Sequence, residues 1–429
     1  MTLSFRLHHS PSRPLVGVLI LLLLSATGTG LLAQEEGSRF DEGVATHPAV
    51  VAALEHLEAN FEAQVKEWIH LTEIPAPSGH EEERARYLVR ELEALGLEVS
   101  VDGIGNVVAH WPGTGDGPTI VFSAHMDTVF PLDTDLTVTR DGDRLRAPGI
   151  GDNTKALSNM LAVVRAMTAA GIRTRGDIVL LGTAQEELGL KGMSHWLDQN
   201  PGVADMVIAM DGGFGLVRYG ALGIWWTRYT FLSEGAHTNV SRGQPHPVLA
   251  LSRAAQGIYE LEAPSGPDGA VYNIGQVRGG DVFNAIPERL SFTVDLRSVD
   301  PVLLDSLNTE INQRVEAAAR AEGVEWTREV ELHLPAGGTA EMLAHRREHP
   351  LILTAVDVHE HLAIEVEAVA TGSTDANAAV ARDIPAIAVG GSYGGGAHTL
   401  QEWADIPSAL DATRMLLLLF VSLSGLDDG

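Results

Sequence analysis

Six ionisable side chains follow predicted strands or open a predicted helix, and their types are those that bind metal ions in proteins. They are His125, Asp152, Glu186, Glu187, Asp211 and His398. In an open parallel sheet, ligands bind beyond the carboxyl ends of the strands, so these side chains should face one crevice. Four carboxylates cannot crowd together there without a compensating cation. The sequence therefore predicts a centre for one or two divalent metal ions.

The mixture of imidazole nitrogen and carboxylate oxygen narrows the choice of metal. Such ligands suit zinc, with cobalt or manganese as alternatives, whereas a purely carboxylate set would favour magnesium or calcium. The chain has no cysteine, which excludes disulfides, thiolate metal sites and a cysteine nucleophile. If one carboxylate bridges, the set can hold two metals about 3.5–4 Å apart, which polarise a carbonyl and activate a shared water.

The composition excludes one class of protein and suggests the number of domains. The 429 residues include 57 acidic and 29 basic side chains, for a formal net charge of −28. Because phosphate backbones require a basic face, a general nucleic-acid binder is excluded. The length favours two domains.

The elements that must position these residues alternate between helices and strands. Apolar runs typical of buried strands occur at 118–123, 177–182, 205–210 and 384–390, and helical patterns occur at 49–65, 81–95 and 154–170. This alternation predicts an α/β fold with a mostly parallel sheet covered by helices. The candidate ligands follow these strands, so this part is the predicted catalytic domain.

A middle block has a different pattern. Four strand-like runs and two helical stretches follow one another in the order β-α-β-β-α-β, which is a ferredoxin-like unit. We therefore predict an inserted α+β domain at 225–334, between two parts of the catalytic domain at 45–224 and 335–429.

The N-terminus is predicted to be a secretory signal at 1–33. Two arginines and a short polar stretch precede an uncharged apolar run at 15–26, and small residues follow it. The run is shorter than the roughly 20 residues of a membrane-spanning helix. We therefore expect an exported protein, periplasmic or secreted, with no membrane contact after cleavage. An uncleaved anchor, and with it a membrane-tethered interaction protein, is the alternative.

Five short motifs together resemble a known family. They stand in chain order at 125–127, 151–153, 186–189, 210–213 and 396–399. Their order and types are similar to those of co-catalytic dizinc exopeptidases, the group of peptidase T, carboxypeptidase G2, aminoacylase and succinyl-diaminopimelate desuccinylase. Each motif alone is weak, but all five in order are specific. The resemblance covers nearly all of the chain after residue 33, including the inserted domain.

The resemblance implies a role for each matched residue. One metal would be bound by His125 and Asp211, the other by Glu187 and His398, and both by Asp152. The resemblance further implies that Asp127 orients His125, as hydrogen-bonded carboxylates do at metal sites. It also implies that Glu186 is the general base, which takes a proton from the attacking water and passes it to the leaving amine.

The inserted domain resembles the lid and dimerisation domain of this family. The resemblance implies a homodimer in which His237 reaches the partner's active site and stabilises the oxyanion. Asn284 and Arg297 resemble lid motifs that contact substrate, although pairing of Arg297 with Asp295 is the alternative. The turn formed by Gly372, Ser373 and Thr374 resembles the substrate-binding turn of the family, where backbone N–H groups can meet a carboxylate.

Two departures from the family pattern bear on the reaction. Thr154 and Lys155 follow the bridging aspartate where many carboxypeptidase-like members have Lys-Gly, a form closer to the peptidase T branch. The stretch 367–371, before the substrate-binding turn, contains no cation, although several relatives have an arginine there. We therefore expect hydrolysis of short peptides from a free N-terminus.

Other functions remain open at this point. A carboxypeptidase or an N-acyl-amino-acid amidohydrolase would use the same two metals. A non-catalytic metal-dependent binding protein is an alternative of a different class. The presence of both Asp152 and Glu186 argues for an enzyme.

Overall fold

The computed structural model describes residues 37–266 and 269–427, so the predicted signal at 1–33 lies outside the described residues. In this part of the chain the α-helices are α1 Glu42–Thr46, α2 Pro48–Glu73, α3 Glu82–Ala94, α4 Lys155–Ala169, α5 Lys191–Gln199, α6 Pro247–Tyr259, α7 Pro301–Glu322, α8 Ala340–Arg347, α9 Pro350–His361, α10 Ala376–Val380 and α11 Ile406–Ser424.

The described strands are β1 Glu98–Val101, β2 Val107–Trp111, β3 Ile120–His125, β4 Thr139–Asp141, β5 Arg144–Arg146, β6 Ile178–Thr183, β7 Met206–Met210, β8 Leu216–Arg218, β9 Gly223–Leu232, β10 Ala236–His237, β11 Ala270–Gly279, β12 Ala285–Ile286, β13 Arg289–Ser298, β14 Glu325–Leu334, β15 Glu367–Val369, β16 Ala386–Val389, β17 Gly394–Gly395 and β18 Trp403–Asp405.

The largest sheet has eight strands in the order β1-β2-β6-β3-β7-β16-β8-β15. Its central strands β6, β3, β7 and β16 run parallel, and every residue in these four strands is buried. Continuous burial explains why these segments are apolar along their whole length rather than alternating.

The helices that cover one face of this sheet form its main core. Phe122 of β3 stacks on Phe420 of α11, with ring centroids 3.6 Å apart. Among the described residues, Ile406–Ser424 is long and apolar enough to cross a membrane, and 78% of its most apolar window is buried inside the protein. Its apolar composition is therefore that of a core helix packed against α2, α4 and α9.

The middle block forms a separate antiparallel sheet in the order β11-β13-β9-β14, packed against α6 and α7. Tyr229, Phe231 and Phe292 are fully buried in its core. Helix α7 begins after Asp300, whose side chain accepts from the N–H groups of the first turn, and it ends at Gly323 in the left-handed region (φ +66°). We call this block, residues 223–334, the lid. The predicted fold class, an α/β sheet with an inserted α+β unit, is confirmed.

Candidate metal centre and active site

Parallel strands at the centre of the large sheet end beside one another and carry the candidate ligands. Strand β3 ends at His125, in register with Thr183 at the end of β6. Strand β7 pairs with β3 on its other side and ends at Met210, one residue before Asp211. Because Glu186 follows β6 by three residues, these groups meet at one edge of the sheet.

The five predicted metal ligands form two groups that share Asp152. Ligand atoms of His125, Asp152 and Asp211 lie within 4.8 Å of one another, as do those of Asp152, Glu187 and His398. Asp152 Oδ1 lies 2.9 Å from His125 Nε2, whereas Asp152 Oδ2 lies 3.3 Å from His398 Nε2. The two oxygens of Asp152 therefore face different groups, which is the arrangement that a bridging ligand requires.

Asp127 holds both the ring of His125 and the loop after β6. Its Oδ1 lies 3.4 Å from His125 Nδ1. The N–H groups of Glu186 and Glu187 donate to its two oxygens at 3.0 and 3.1 Å, and Ser78 Oγ donates at 2.6 Å. Burial alone would raise the pKa of Asp127, but His125 and these donors lower it. The carbonyl oxygen of Asp127 lies still closer to His125 Nδ1, at 3.1 Å. Asp127 is therefore placed to orient His125 through both its backbone carbonyl and its carboxylate.

In the two candidate ligand groups, the carboxylates stabilise the protonated, positively charged forms of the histidines between them. Burial alone would lower the pKa of His125, but hydrogen bonds to Asp127 and Asp152 raise it well above its usual value. The hydrogen bond to Asp152 raises the pKa of His398 to about 9. Burial opposes ionisation of Asp152, yet the two histidines lower its pKa. A cluster that stabilises positive charge in this way fits divalent cations.

Glu186, Glu187 and Asp211 have too little positive charge around them to offset the cost of burying their ionised forms. Burial raises the pKa of Glu186 well above its usual value, although the charge of His125 opposes this, and Asp211 adds repulsion. Burial likewise raises the pKa of Glu187 to about 7 and raises the pKa of Asp211. Carboxylates with raised pKa values in a cleft are typical of a functional site. The mixed nitrogen and oxygen donors fit two divalent metal ions.

Glu402 is a buried carboxylate that sequence reasoning missed. Its oxygens accept from the N–H groups of Gly149 at 2.8 Å and of Gly151 and Asp152 at 2.7 Å. Burial raises the pKa of Glu402 to about 7. Because it lies four residues after His398, it joins the loops that carry two candidate ligands. That spacing, in a glycine-rich loop, is a signal that could have indicated it.

Asp375 is a second buried carboxylate behind the site. Thr183 Oγ1 donates to its Oδ2 at 2.6 Å, while its Oδ1 is buried with no partner among the described residues. Burial raises the pKa of Asp375 to about 6, and its charge adds to the repulsion at Glu186. Asp375 directly follows the predicted turn at 372–374 but was not among the residues selected from the sequence.

A cleft of about 460 Å³ lies above the candidate metal ligands. It is lined by the predicted turn residues Gly372, Ser373 and Thr374 and by apolar side chains of the lid, Ile224, Trp226, Leu332 and Leu334. The candidate base Glu186 lines the same cleft, together with the two cations Arg218 and Arg297. Sequence reasoning did not single out Arg218, since nothing in the short strand β8 indicated where its side chain lies.

Arg297 lines the cleft but already has an acidic partner. Its Nε donates to both oxygens of Asp295 at 3.0 and 3.1 Å. Its guanidinium carbon lies 6.0 Å from the centroid of Trp226. The structure thus places Arg297 both in the cleft and in the pair with Asp295 that the sequence suggested.

His237 and Asn284 lie together on the lid, away from the cleft of their own chain. His237 pairs with Ala285 between β10 and β12, and its Nε2 lies 3.4 Å from Nδ2 of Asn284. Both side chains are exposed, and neither lines the cleft. Their predicted roles therefore depend on a second copy of the chain.

Solved structures share this fold. The aminopeptidase PepT from Bacillus cereus matches with a TM-score of 0.71 and 21% identity, covering 85% of this chain and 99% of PepT. The YXEP protein of Bacillus subtilis, described as a dinuclear metal binding peptidase, matches with a TM-score of 0.65 and 16% identity, covering 86% and 100%. At these identities the similarity shows the fold.

Sequence comparison shows the family. Carboxypeptidase G2 from a Pseudomonas species is 23% identical over 312 residues, which are 69% of this chain and 71% of the relative. The sequence pattern of Peptidase family M20/M25/M40 matches residues 121–422, well over half of the chain. The resemblance drawn from the five motifs is thereby confirmed. The chain belongs to peptidase family M20/M25/M40, a family of metal-dependent hydrolases.

Proposed function

We propose that this protein is an exopeptidase that hydrolyses short peptides from a free N-terminus by means of two divalent metal ions, zinc in the first instance. The observation that carries the proposal is the pair of ligand groups sharing Asp152, with Glu186 beside them in one cleft. The fold similarity to the aminopeptidase PepT supports the choice of peptide substrates.

Two divalent ions bound by the two ligand groups would polarise the scissile carbonyl and acidify the attacking water. Glu186 would take a proton from that water and give it to the leaving amine. Asp127 would keep His125 in a fixed orientation and tautomer. Apolar side chains of the lid line the cleft beside these groups, and such a low-polarity wall would strengthen the electrostatic interactions there.

A second candidate is a carboxypeptidase or N-acyl-amino-acid amidohydrolase. The arginines of the cleft favour it, because a guanidinium can bind the carboxylate of such a substrate. The similarity to carboxypeptidase G2 also supports it. A non-catalytic binding protein remains the alternative of a different class.

The proposal extends to location and assembly. The apolar run at 15–26 supports export to the periplasm or the medium. The exposed position of His237 supports a homodimer in which this side chain acts in the partner's cleft, because it has no such contact within its own chain.

One experiment tests the reaction. The zinc-loaded protein is assayed with a tripeptide, its N-acetylated form and its C-terminal amide, with and without chelator. Cleavage that requires a free N-terminus and stops with chelator supports the aminopeptidase. Cleavage of the N-acetylated form but not of the amide favours the second candidate. Metal binding without cleavage of any form favours the binding protein.

A further inference from the structure

Four apolar side chains of the lid lie on one face of its sheet. In the pairing of β14 with β9, Leu332 lies opposite Trp226 and Leu334 lies opposite Ile224. Residues that lie directly opposite each other in an antiparallel pair point to the same face of the sheet. All four side chains line the cleft, so this face of the lid forms one of its walls.

A β-bulge at Glu331 places Leu332 on this face. The pairing of β14 with β9 skips Glu331, which is therefore an extra residue in β14. On the other face, Trp225 stacks on His333 with ring centroids 3.8 Å apart, and the guanidinium carbon of Arg328 lies 5.4 Å from a ring centroid of Trp225. Arg328 and His333 are five positions apart, so a regular strand would point them to opposite faces. The bulge reverses the alternation and thereby turns Leu332 toward the cleft.

Leu332 lies against the loop that carries the candidate base. A Cβ at Gly189 would lie 2.6 Å from Cδ1 of Leu332, so only glycine leaves room for this side chain. Gly189 follows Glu186 by three residues, and its N–H donates to the carbonyl oxygen of Glu186 at 2.9 Å. Leu332 is therefore one tight turn of the backbone away from the candidate base.

Trp226 and Leu332 are not part of a hydrophobic core. In the described part of the chain neither belongs to a buried apolar cluster, whereas Leu334 packs against the cluster that contains Val121 and Leu181. Trp226 is 37% exposed, and Leu332 is half-buried. Apolar surface inside a cleft is available to a ligand, and its removal from water favours binding.

We propose that Trp226 and Leu332 bind a large apolar side chain of the substrate, on a residue next to the scissile bond. This inference rests on the proposed function and specifies its substrates as peptides with a side chain such as that of leucine or phenylalanine at this position. Both are specificity residues, since neither carries a group that could move a proton or bind a metal ion.

The test compares peptides that differ only in the size of one side chain. Ala-Ala-Ala, Leu-Ala-Ala and Ala-Leu-Ala are assayed with the zinc-loaded wild type, with Leu332→Ala and Trp226→Ala, and with the control Val330→Ala. Val330 lies on the same strand as Leu332, is 42% exposed and does not line the cleft. Melting temperature and bound zinc are measured for each variant.

We expect the wild type to cleave one of the leucine peptides with a kcat/KM on the order of 10- to 100-fold above that for Ala-Ala-Ala, because apolar pockets discriminate by about this much. Leu332→Ala and Trp226→Ala should each reduce this preference for leucine roughly 10-fold, whereas Val330→Ala should keep it. Equal losses for the leucine and alanine peptides, or a wild type that prefers leucine at neither position, would overturn the proposal.

A binding measurement separates this proposal from the proposed function. The three peptides are titrated by calorimetry at several temperatures into zinc-loaded Glu186→Gln, with and without Leu332→Ala. Tighter binding of a leucine peptide, with the more negative heat-capacity change of apolar burial, that disappears with Leu332→Ala supports the subsite even if the wild type cleaves no peptide. A preference for leucine that Leu332→Ala leaves unchanged, or no preference at all, overturns it, whatever the enzyme hydrolyses.

Discussion

Glu186 and Glu187 are adjacent in sequence and differ in what they contact. Both have ligand atoms within 4.8 Å of those of His125. Glu187 Oε1 also lies 3.0 Å from His398 Nε2, whereas Glu186 is almost fully buried, lines the cleft and, within the described residues, forms no hydrogen bond or ion pair with His398. Adjacent side chains project in different directions, so one can bind metal while its neighbour handles a proton. Replacing each glutamate by glutamine should therefore affect turnover at one position and metal binding at the other.

We predict that Glu186→Gln retains both zinc ions but loses about 10²- to 10⁴-fold in kcat, because proton transfer by a positioned group contributes that much. Glu187→Gln should instead lower the amount of bound zinc, because an amide oxygen is a weaker ligand than a carboxylate. Zinc content by elemental analysis and peptide turnover are measured side by side. Turnover at the wild-type rate in Glu186→Gln would exclude it as the base.

For individual residues, the sequence predicted best those side chains whose type is required for metal binding. His125, Asp152, Glu187, Asp211 and His398 were selected because histidines and carboxylates followed predicted strands, and the structure places them within one cluster. Glu402, Asp375 and Arg218 were not selected. Their contacts depend on where a loop or a short strand runs, which local pattern does not determine.

At the scale of elements, two loops of the site are joined by one side chain. Glu402 accepts three backbone N–H groups of the loop before α4. A glutamine there keeps only one acceptor oxygen and brings an NH₂ group against donors. The loop that presents Asp152 thus depends on a carboxylate that is distant in sequence.

We predict that Glu402→Gln lowers the free energy of unfolding by about 1–3 kcal/mol, the usual cost of a buried unsatisfied donor. It should also weaken zinc binding, because Asp152 loses its support. Urea unfolding and zinc titration are the measurements, with Glu348→Gln, an exposed glutamate, as the control. Unchanged zinc affinity in Glu402→Gln would argue against this positioning role.

Helix α9 contains a buried histidine that links stability to pH. Burial lowers the pKa of His359. Its Nδ1 contacts the carbonyl oxygen of Ala355, and its Nε2 is buried with no partner in the described part of the chain. The folded protein therefore favours the neutral ring more strongly than the unfolded chain does. The unfolded chain binds a proton near pH 6.5, so stability must fall as pH drops through that value.

We predict that His359→Gln reduces the loss of stability between pH 7.5 and pH 5.5, where one such histidine contributes a slope of up to about 1.4 kcal/mol per pH unit. The exposed His345→Gln serves as control. Unfolding in urea at each pH measures the effect. A slope that is the same in wild type and His359→Gln would refute the prediction.

The helices and strands were predicted from the sequence better than the individual contacts of the site were. The strand runs expected at 118–123, 177–182 and 205–210 appear as β3, β6 and β7, shifted by about two residues or fewer at each end. Uninterrupted apolar runs are specific because a strand buried on both faces requires them. The short strands β4, β5, β17 and β18 were not predicted, since their pairing depends on the chain around the site.

At the scale of the whole molecule, the lid carries exposed apolar surface beside His237 and Asn284. Phe283 has a relative exposure of 110% and Val282 of 60%. Large exposed apolar side chains beside polar groups are typical of an interaction surface. This surface supports the proposed homodimer.

We predict that mixing His237→Ala subunits with Glu186→Ala subunits restores part of the activity that each variant lacks alone. Exchange would create dimers in which one cleft has both an intact Glu186 and an intact His237 from its neighbour. The measurement is turnover after incubation of the mixture, with each variant alone as control. If the mixture stays inactive while exchange is shown to occur, His237 acts elsewhere.

Helix α11 has a further consequence, for the order in which the protein is made. It fills the main core, and it follows the loop of His398 and Glu402 directly. The ribosome therefore releases this helix after every other described helix and strand of the chain. Until then the core lacks the helix that packs against α2, α4 and α9. We therefore expect the large sheet to complete its packing only after synthesis of α11, late in the making of the chain.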